Sequence, residues 1–205
     1  MTLIKTYNLL NELIGRTDIY LLDQIMKGRY HPQQKILDAG CGGGRNMKWF
    51  LQNDFEIYGV DNSQAAIIHL KQMNDSLHPL RLQVADLEKL PFEENYFDHI
   101  ISSAVLHFAT DVAHFKQMLA EMLRVLSFNG SLFIRMASDI GIENKVKLIS
   151  NGNYKIPDGS MRFLLTRSLL AEFMKEFDLR FLEPLKTTNV NDLRCMSTLL
   201  LQKNS

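Results

Sequence analysis

Short apolar runs alternate along this chain with stretches whose apolar residues recur at helical spacing. Leu9, Leu10, Leu13 and Ile14 share one helical face, and Ile19, Leu21, Leu22, Ile25 and Met26 share another, so residues 3–30 predict helix on both sides of Gly15. Gly28 and His31-Pro32 end that segment, because glycine accepts a left-handed cap and proline cannot continue a helix. Strands are then predicted over 35–38, 56–61, 80–84, 97–102 and 130–135, with helices over 45–52, 63–74 and 112–126. Residues 138–160 hold Gly141, Gly152, Pro157 and Gly159 with weak periodicity, which predicts an irregular or partly helical insert. Helical spacing returns from Thr166, a candidate N-cap, to Phe177. Phe181–Leu185 and Met196–Gln202 read as two closing strands.

Strands separated by helices imply a parallel sheet, since each parallel pair needs a crossover that a helix supplies. Right-handed crossovers place helices on both faces. The expected fold is therefore α/β: a doubly wound, Rossmann-like, mostly parallel sheet with an antiparallel last strand. At 205 residues the chain fits one domain, and no linker divides it.

Composition narrows the partners. Twenty-three basic residues balance twenty-three acidic ones, so no surplus of cations is available to replace the counterions of nucleic-acid phosphates. The two cysteines, Cys41 and Cys195, form no disulfide framework or zinc pattern, and no metal site is expected. The first residues are too polar for a signal-peptide apolar region, and no apolar run nears the roughly 18 residues of a membrane span. These features lead us to expect a cytoplasmic protein, as a monomer or homodimer.

The chemistry concentrates in Ile36-Leu37-Asp38-Ala39-Gly40-Cys41-Gly42-Gly43-Gly44-Arg45-Asn46. A strand runs into a glycine loop and a helix follows, the arrangement that sits at the carboxyl edge of a doubly wound sheet where ligands bind. The dinucleotide fingerprint G-x-G-x-x-G requires glycine or alanine at its third position, where this chain has Arg45. Asp38, two residues before Gly40, would repel a pyrophosphate but suits a cofactor with an ammonium group and hydroxyls. That disfavours a nicotinamide oxidoreductase and favours an amino-acid-bearing nucleoside.

The motif resembles the LDxGCGxGRN segment of small class I S-adenosylmethionine-dependent methyltransferases, and motif order extends the resemblance over residues 36–135. It implies that Asp38, Gly40, Cys41 and Gly42 wrap the methionine and ribose portions of S-adenosylmethionine. Asp61, ending Tyr58-Gly59-Val60-Asp61, would bind the ribose hydroxyls, with Asn62 flanking adenine. Asp86 would meet the adenine amino group, with the Leu87 amide beside the ring. The run Leu90-Pro91-Phe92 to Phe97-Asp98 resembles the family's segment leading into strand four. The same resemblance divides the domain into an N-terminal helical extension or lid (1–30), a cofactor-binding core (36–135) and an insert near the acceptor site (138–165). Each aspartate taken alone also reads as a helix cap or turn residue.

The loop after strand four, Ser102-Ser103-Ala104-Val105-Leu106-His107-Phe108, should lie beneath the methionine end. His107 is the candidate base, since its ordinary pKa of about 6.5 suits proton transfer near neutrality; its alternative is packing at the start of the next helix. Arg45 reads either as a partner of the substrate or cofactor carboxylate or as a solvated residue. Tyr7, Tyr20, Tyr30, Tyr154 and Arg162 are candidates for lining the acceptor pocket. His69 and His114 read as surface or packing residues. The tetrapeptide (N/D)PP(Y/F) that grips planar amino groups is absent after strand four. A small-molecule methyl acceptor is therefore expected. A cofactor-binding protein without turnover is the alternative, and a protein or RNA methyltransferase comes behind it.

Overall fold

Alternating side chains along the buried strands supply the fold with two cores at once, because successive residues of a strand point to opposite faces. The computed structural model describes residues 3–74 and 78–204. Its elements run α1 (Leu3–Ile14), α2 (Ile19–Met26), β1 (Lys35–Ala39), α3 (Lys48–Gln52), β2 (Glu56–Asp61), α4 (Gln64–Met73), β3 (Leu82–Val84) and β4 (Phe97–Ser103). They continue through α5 (Val112–Val125), β5 (Leu126–Ser138), β6 (Lys147–Ser150), β7 (Asn153–Lys155), β8 (Met161–Phe163), α6 (Arg167–Glu176), β9 (Leu179–Phe181), β10 (Lys186–Val190) and β11 (Arg194–Lys203). Leu37, Ile100, Leu132, Ile134, Leu199 and Leu201 face one core with Phe115, Leu119 and Met122 of α5 and Phe173 of α6. Their neighbours Ile36, Ile101, Phe133 and Leu200 face the other, with Leu21, Met47 and Phe50.

The large sheet has the order β10-β11-β5-β4-β1-β2-β3, with β9 also paired to β11. Strands β3, β2, β1, β4 and β5 are parallel, and β11 runs antiparallel to β5, as expected. The chain moves outward from β1 to β3 and then crosses to β4, so the order reverses between β1 and β4. The crevice at their carboxyl ends is the switch point where ligands bind in such sheets.

Several boundaries differ from expectation. The helix expected over 45–52 begins at Lys48, because residues 42–47 are spent in turns closed by Gly44 N to Cys41 O and Met47 N to Gly44 O. The fifth strand starts at Leu126 rather than 130, with an irregularity at Asn129, which has φ +61°, where its register against β4 shifts. The insert is irregular only in its first part, where residues 139–146 hold one 3-10 turn at Glu143–Lys145; from Lys147 it carries the first two strands of a three-stranded antiparallel sheet, β6-β7-β8, that the periodicity did not predict. Gly152 and Gly159, both at positive φ, make its turns, so the glycines that hid the periodicity are hairpin residues. The strand expected over 181–185 falls, apart from Phe181, in the break between two strands, β9 before it and β10 after it. Among the described residues, no helix is long and apolar enough to cross a membrane, and no cluster of side chains could hold a metal ion.

Candidate active site

The glycine loop leaves β1 and is pinned across the sheet. Gly40 N and Cys41 N both donate to Val60 O, at 2.8 and 2.9 Å. Gly40 has φ +84°, and a Cβ there would overlap the Val105 side chain, so the chain requires glycine twice over. Above this loop, at the carboxyl ends of β1 to β4, lies a cavity of about 900 Å³. Its wall includes Gly40, Cys41, Gly42, Arg45, Asp61, Asn62, Asp86, Leu87 and Ser103, nine of the residues named from sequence.

Sheet order polarises this cavity. Asp86 follows β3 and Asp61 ends β2, whereas Ser103 ends β4 on the far side of the loop. Asp61 Oδ2 accepts from Gly42 N at 2.8 Å and Oδ1 from Ser63 N at 2.9 Å. Each oxygen is thereby aimed by one backbone amide and keeps a lone pair for a ligand hydroxyl. At the β4 end, Arg45 Nη2 donates to Ser103 Oγ at 3.1 Å. Arg16 also stands on the wall. The carboxylates thus lie toward β2 and β3, and the Arg45 guanidinium toward β4.

Three sequence-predicted residues do not line the cavity. Asp38 is buried beneath the loop, and its Oδ2 has no hydrogen-bond partner. Burial pushes its pKa up to about 7, with Arg45 opposing and Asp61 adding to the rise. Ser102 is fully buried with its Oγ unpartnered, and Ser103 alone of that pair reaches the wall. His107 also sits behind the wall: its Nδ1 accepts from Ala137 N at 3.4 Å. Burial lowers its pKa to about 4, helped by the charges of Arg162 and Arg135, so it is a neutral packing residue at pH 7. The catalytic-base expectation is not supported by that placement.

The tyrosines likewise stand apart from the cavity. Tyr30 is a core residue, edge-on to Phe50 and His99, and Tyr7 is exposed. Tyr20 is hydrogen-bonded to Thr188. Tyr154 and Arg162 are register partners in the small sheet, with Arg162 5.5 Å from the ring centre of the cavity residue Phe108. Val105 and Phe108 reach the wall from the loop expected there, whereas Arg16, Glu88, His114 and Met118 were not assigned to the site from sequence. His114 Nε2 lies 2.7 Å from Glu88 Oε1, so it belongs to the site wall and not only to the surface of α5. Its signal was position, one turn into the helix that follows β4, rather than any motif.

An open glycine loop at a switch point, with an acid at or just beyond the carboxyl end of each of the next two strands, defines an α/β ligand-binding fold. Comparison with known proteins narrows this. Residues 37–134 match the methyltransferase domain family. The chain is 29% identical over 134 residues to the ubiquinone/menaquinone biosynthesis C-methyltransferase UbiE of Bordetella avium, covering 62% of this chain and 51% of that protein. It is 30% identical over 101 residues to the malonyl-[acyl-carrier protein] O-methyltransferase of Legionella pneumophila, covering 48% of this chain and 34% of the relative. The chain therefore spans about half or less of the length of these curated relatives. An S-adenosylmethionine-dependent methyltransferase of Clostridium acetobutylicum superposes with a TM-score of 0.70 at 14% identity, covering 98% of both chains. Residues 37–134 thus match a methyltransferase domain, and the chain has the fold of the class I S-adenosylmethionine-dependent methyltransferases.

Proposed function

We propose that the protein transfers the methyl group of S-adenosylmethionine to a small-molecule acceptor. The polarised cavity at the β1/β4 switch point carries this reading: hydroxyl-accepting carboxylates on one side, a guanidinium on the other and a Cβ-free loop between them. Asp61 would accept from the ribose hydroxyls, as its two amide-oriented oxygens allow. Asp86 and Leu87 would hold adenine, and Asn62 would flank it. Gly40, Cys41 and Gly42 would lie along the methionine portion, and Arg45 would meet its carboxylate. Asp38, buried under the loop, would make no direct contact with the cofactor.

The cofactor supplies a methyl group already activated by a sulfonium, so the protein's task is alignment and exclusion of water. Val105, Phe108 and Met118 give the cavity an apolar stretch of wall beside Ser103. With His107 neutral and behind the wall, the acceptor would arrive already nucleophilic. The names of the two curated relatives include carbon and oxygen methylation, and nothing in the site selects between them. Balanced overall charge speaks against a nucleic-acid acceptor. Residues 1–30 and 138–165 are proposed to border the acceptor's entrance, through Arg16 on one side and Phe108 with Arg162 on the other.

Calorimetric titration with S-adenosylmethionine and with NAD tests the cofactor; binding of NAD alone would overturn the assignment. Release of S-adenosylhomocysteine over a panel of carboxylate, phenol, thiol and carbon-acid acceptors then tests turnover. Tight cofactor binding with no release on any acceptor would favour a binding protein.

A further inference from the structure

Asp18 does more than its position in the chain requires. It is the N-cap of α2, where Oδ1 accepts from Tyr20 N at 3.0 Å. Its side chain is only 2% exposed, although a cap needs no burial. The second oxygen explains the burial. Oδ2 accepts from Ser103 Oγ at 3.1 Å and from Arg135 Nη1 at 3.1 Å, with Arg45 Nη2 at 4.0 Å. Asp18 N donates to Asn46 Oδ1 at 3.0 Å. Ser103 and Arg135 are register partners on β4 and β5, so both side chains rise on one face toward this carboxylate.

Four distant segments therefore meet at one buried charge: the start of α2, the exit of the glycine loop, and the ends of β4 and β5. Two guanidinium groups share that single carboxylate. Arg135 is 19% exposed and sits 5.2 Å from the Tyr20 ring centre, whereas Arg45 is 44% exposed and lines the cavity. The uncompensated positive charge consequently falls on Arg45. Burying an ion cluster is costly unless its geometry is well satisfied, and such clusters are best understood as devices that fix one arrangement.

We propose, resting on the cofactor assignment above, that Asp18 is a positioning residue. Through Ser103 it holds Arg45 at the β4 end of the cavity with one charge unspent, in place for the carboxylate of the cofactor's amino-acid portion. The N-terminal segment is thereby part of the cofactor site and not only a cover for it. Asp18 touches no ligand itself, so its effect is confined to ligands that carry the amino-acid portion. A nucleoside lacking that portion is insensitive to it.

The test compares S-adenosylhomocysteine with 5′-methylthioadenosine, which keeps adenine, ribose and sulfur but lacks the carboxylate and ammonium. Both are titrated calorimetrically into the full chain carrying Asp18→Asn, which retains a good N-cap while removing the charge. The expected result is a loss on the order of tenfold for S-adenosylhomocysteine, the scale of one charge-assisted hydrogen bond. Affinity for 5′-methylthioadenosine should stay within about twofold. Ser103→Ala, which breaks the link without touching the cap, should reproduce the selective loss, and Ser103→Thr should restore binding. Equal losses for both ligands would reduce Asp18 to a folding role and overturn the proposal. Unchanged or tighter S-adenosylhomocysteine binding would overturn it too, because the carboxylate would then act only as a competing charge. A wild-type chain that binds neither ligand would instead sink the cofactor assignment.

Discussion

Asp61 is held by two backbone amides, one from the glycine loop and one from the turn into α4, so its orientation is set before any ligand arrives. Replacing it with alanine removes two charge-assisted acceptors for ribose and releases Gly42 N. Loss of about 1.5–3 kcal/mol of cofactor binding is expected, on the order of 10- to 100-fold in Kd by titration. Unchanged affinity would exclude the ribose role. Asp38 yields a prediction about pH. Its folded pKa of about 7 lies above its ordinary 3.8, so folding is favoured while the group stays protonated. That contribution is complete below the ordinary value and is lost as pH rises through 7. Asp38→Asn should therefore gain stability relative to wild type between pH 5 and pH 8, by about 2 kcal/mol in ligand-free denaturation curves. A difference that does not change with pH would show that Asp38 ionises normally. His107 gives the contrasting case. His107→Asn should cost about 1 kcal/mol of stability for the Ala137 amide it serves. Cofactor affinity should be unchanged, and turnover should show no inflection near the ordinary histidine pKa.

At the scale of elements, the loop and the strand beside it form one fitted unit. Gly40 holds φ +84° against Val105, which comes from the turn after β4. Gly40→Ala suffers both left-handed strain and overlap, with an expected cost of at least about 1–2 kcal/mol in stability. Adding Val105→Ala should recover the steric part and leave the strain, a separation that a double-mutant cycle measures. Additive effects would mean the two residues do not meet. The same unit shows what was legible in the sequence. Asp38, Gly40 and Asp61 could be placed because short continuous apolar runs mark β1 and β2, and because glycine and acid follow at their ends. The β6-β7-β8 sheet was illegible because its strands are three or four residues long and mostly exposed, leaving no alternation to detect. Asp18 was hidden for a different reason. It is an isolated acid that caps α2 in the structure, and its second oxygen finds partners 27 to 117 residues away. Long-range polar contacts leave no local trace in a sequence.

Across the whole molecule, the cavity is assembled from parts that are otherwise joined mainly by the sheet: β1, β2, β3 and β4 with their loops, the segment bearing Arg16, and the first turns of α5 through His114 and Met118. A ligand spanning the cavity links these parts and binds the folded chain alone, so it must stabilise the fold by mass action. At a free concentration of about 100 times Kd the gain is about 2.7 kcal/mol. For a domain of this size each kcal/mol raises Tm by about 2–4 °C, so saturating S-adenosylhomocysteine should raise Tm by about 5–10 °C. NAD at equal concentration should give no shift, because its pyrophosphate would face the Asp61 and Asp86 carboxylates. 5′-Methylthioadenosine should give a smaller shift than S-adenosylhomocysteine at equal concentration, since the Arg45 end of the cavity stays unfilled. The order of these three shifts therefore reports the polarity of the site from one end to the other. Equal shifts for S-adenosylhomocysteine and 5′-methylthioadenosine would show that the β4 end takes no part in cofactor binding.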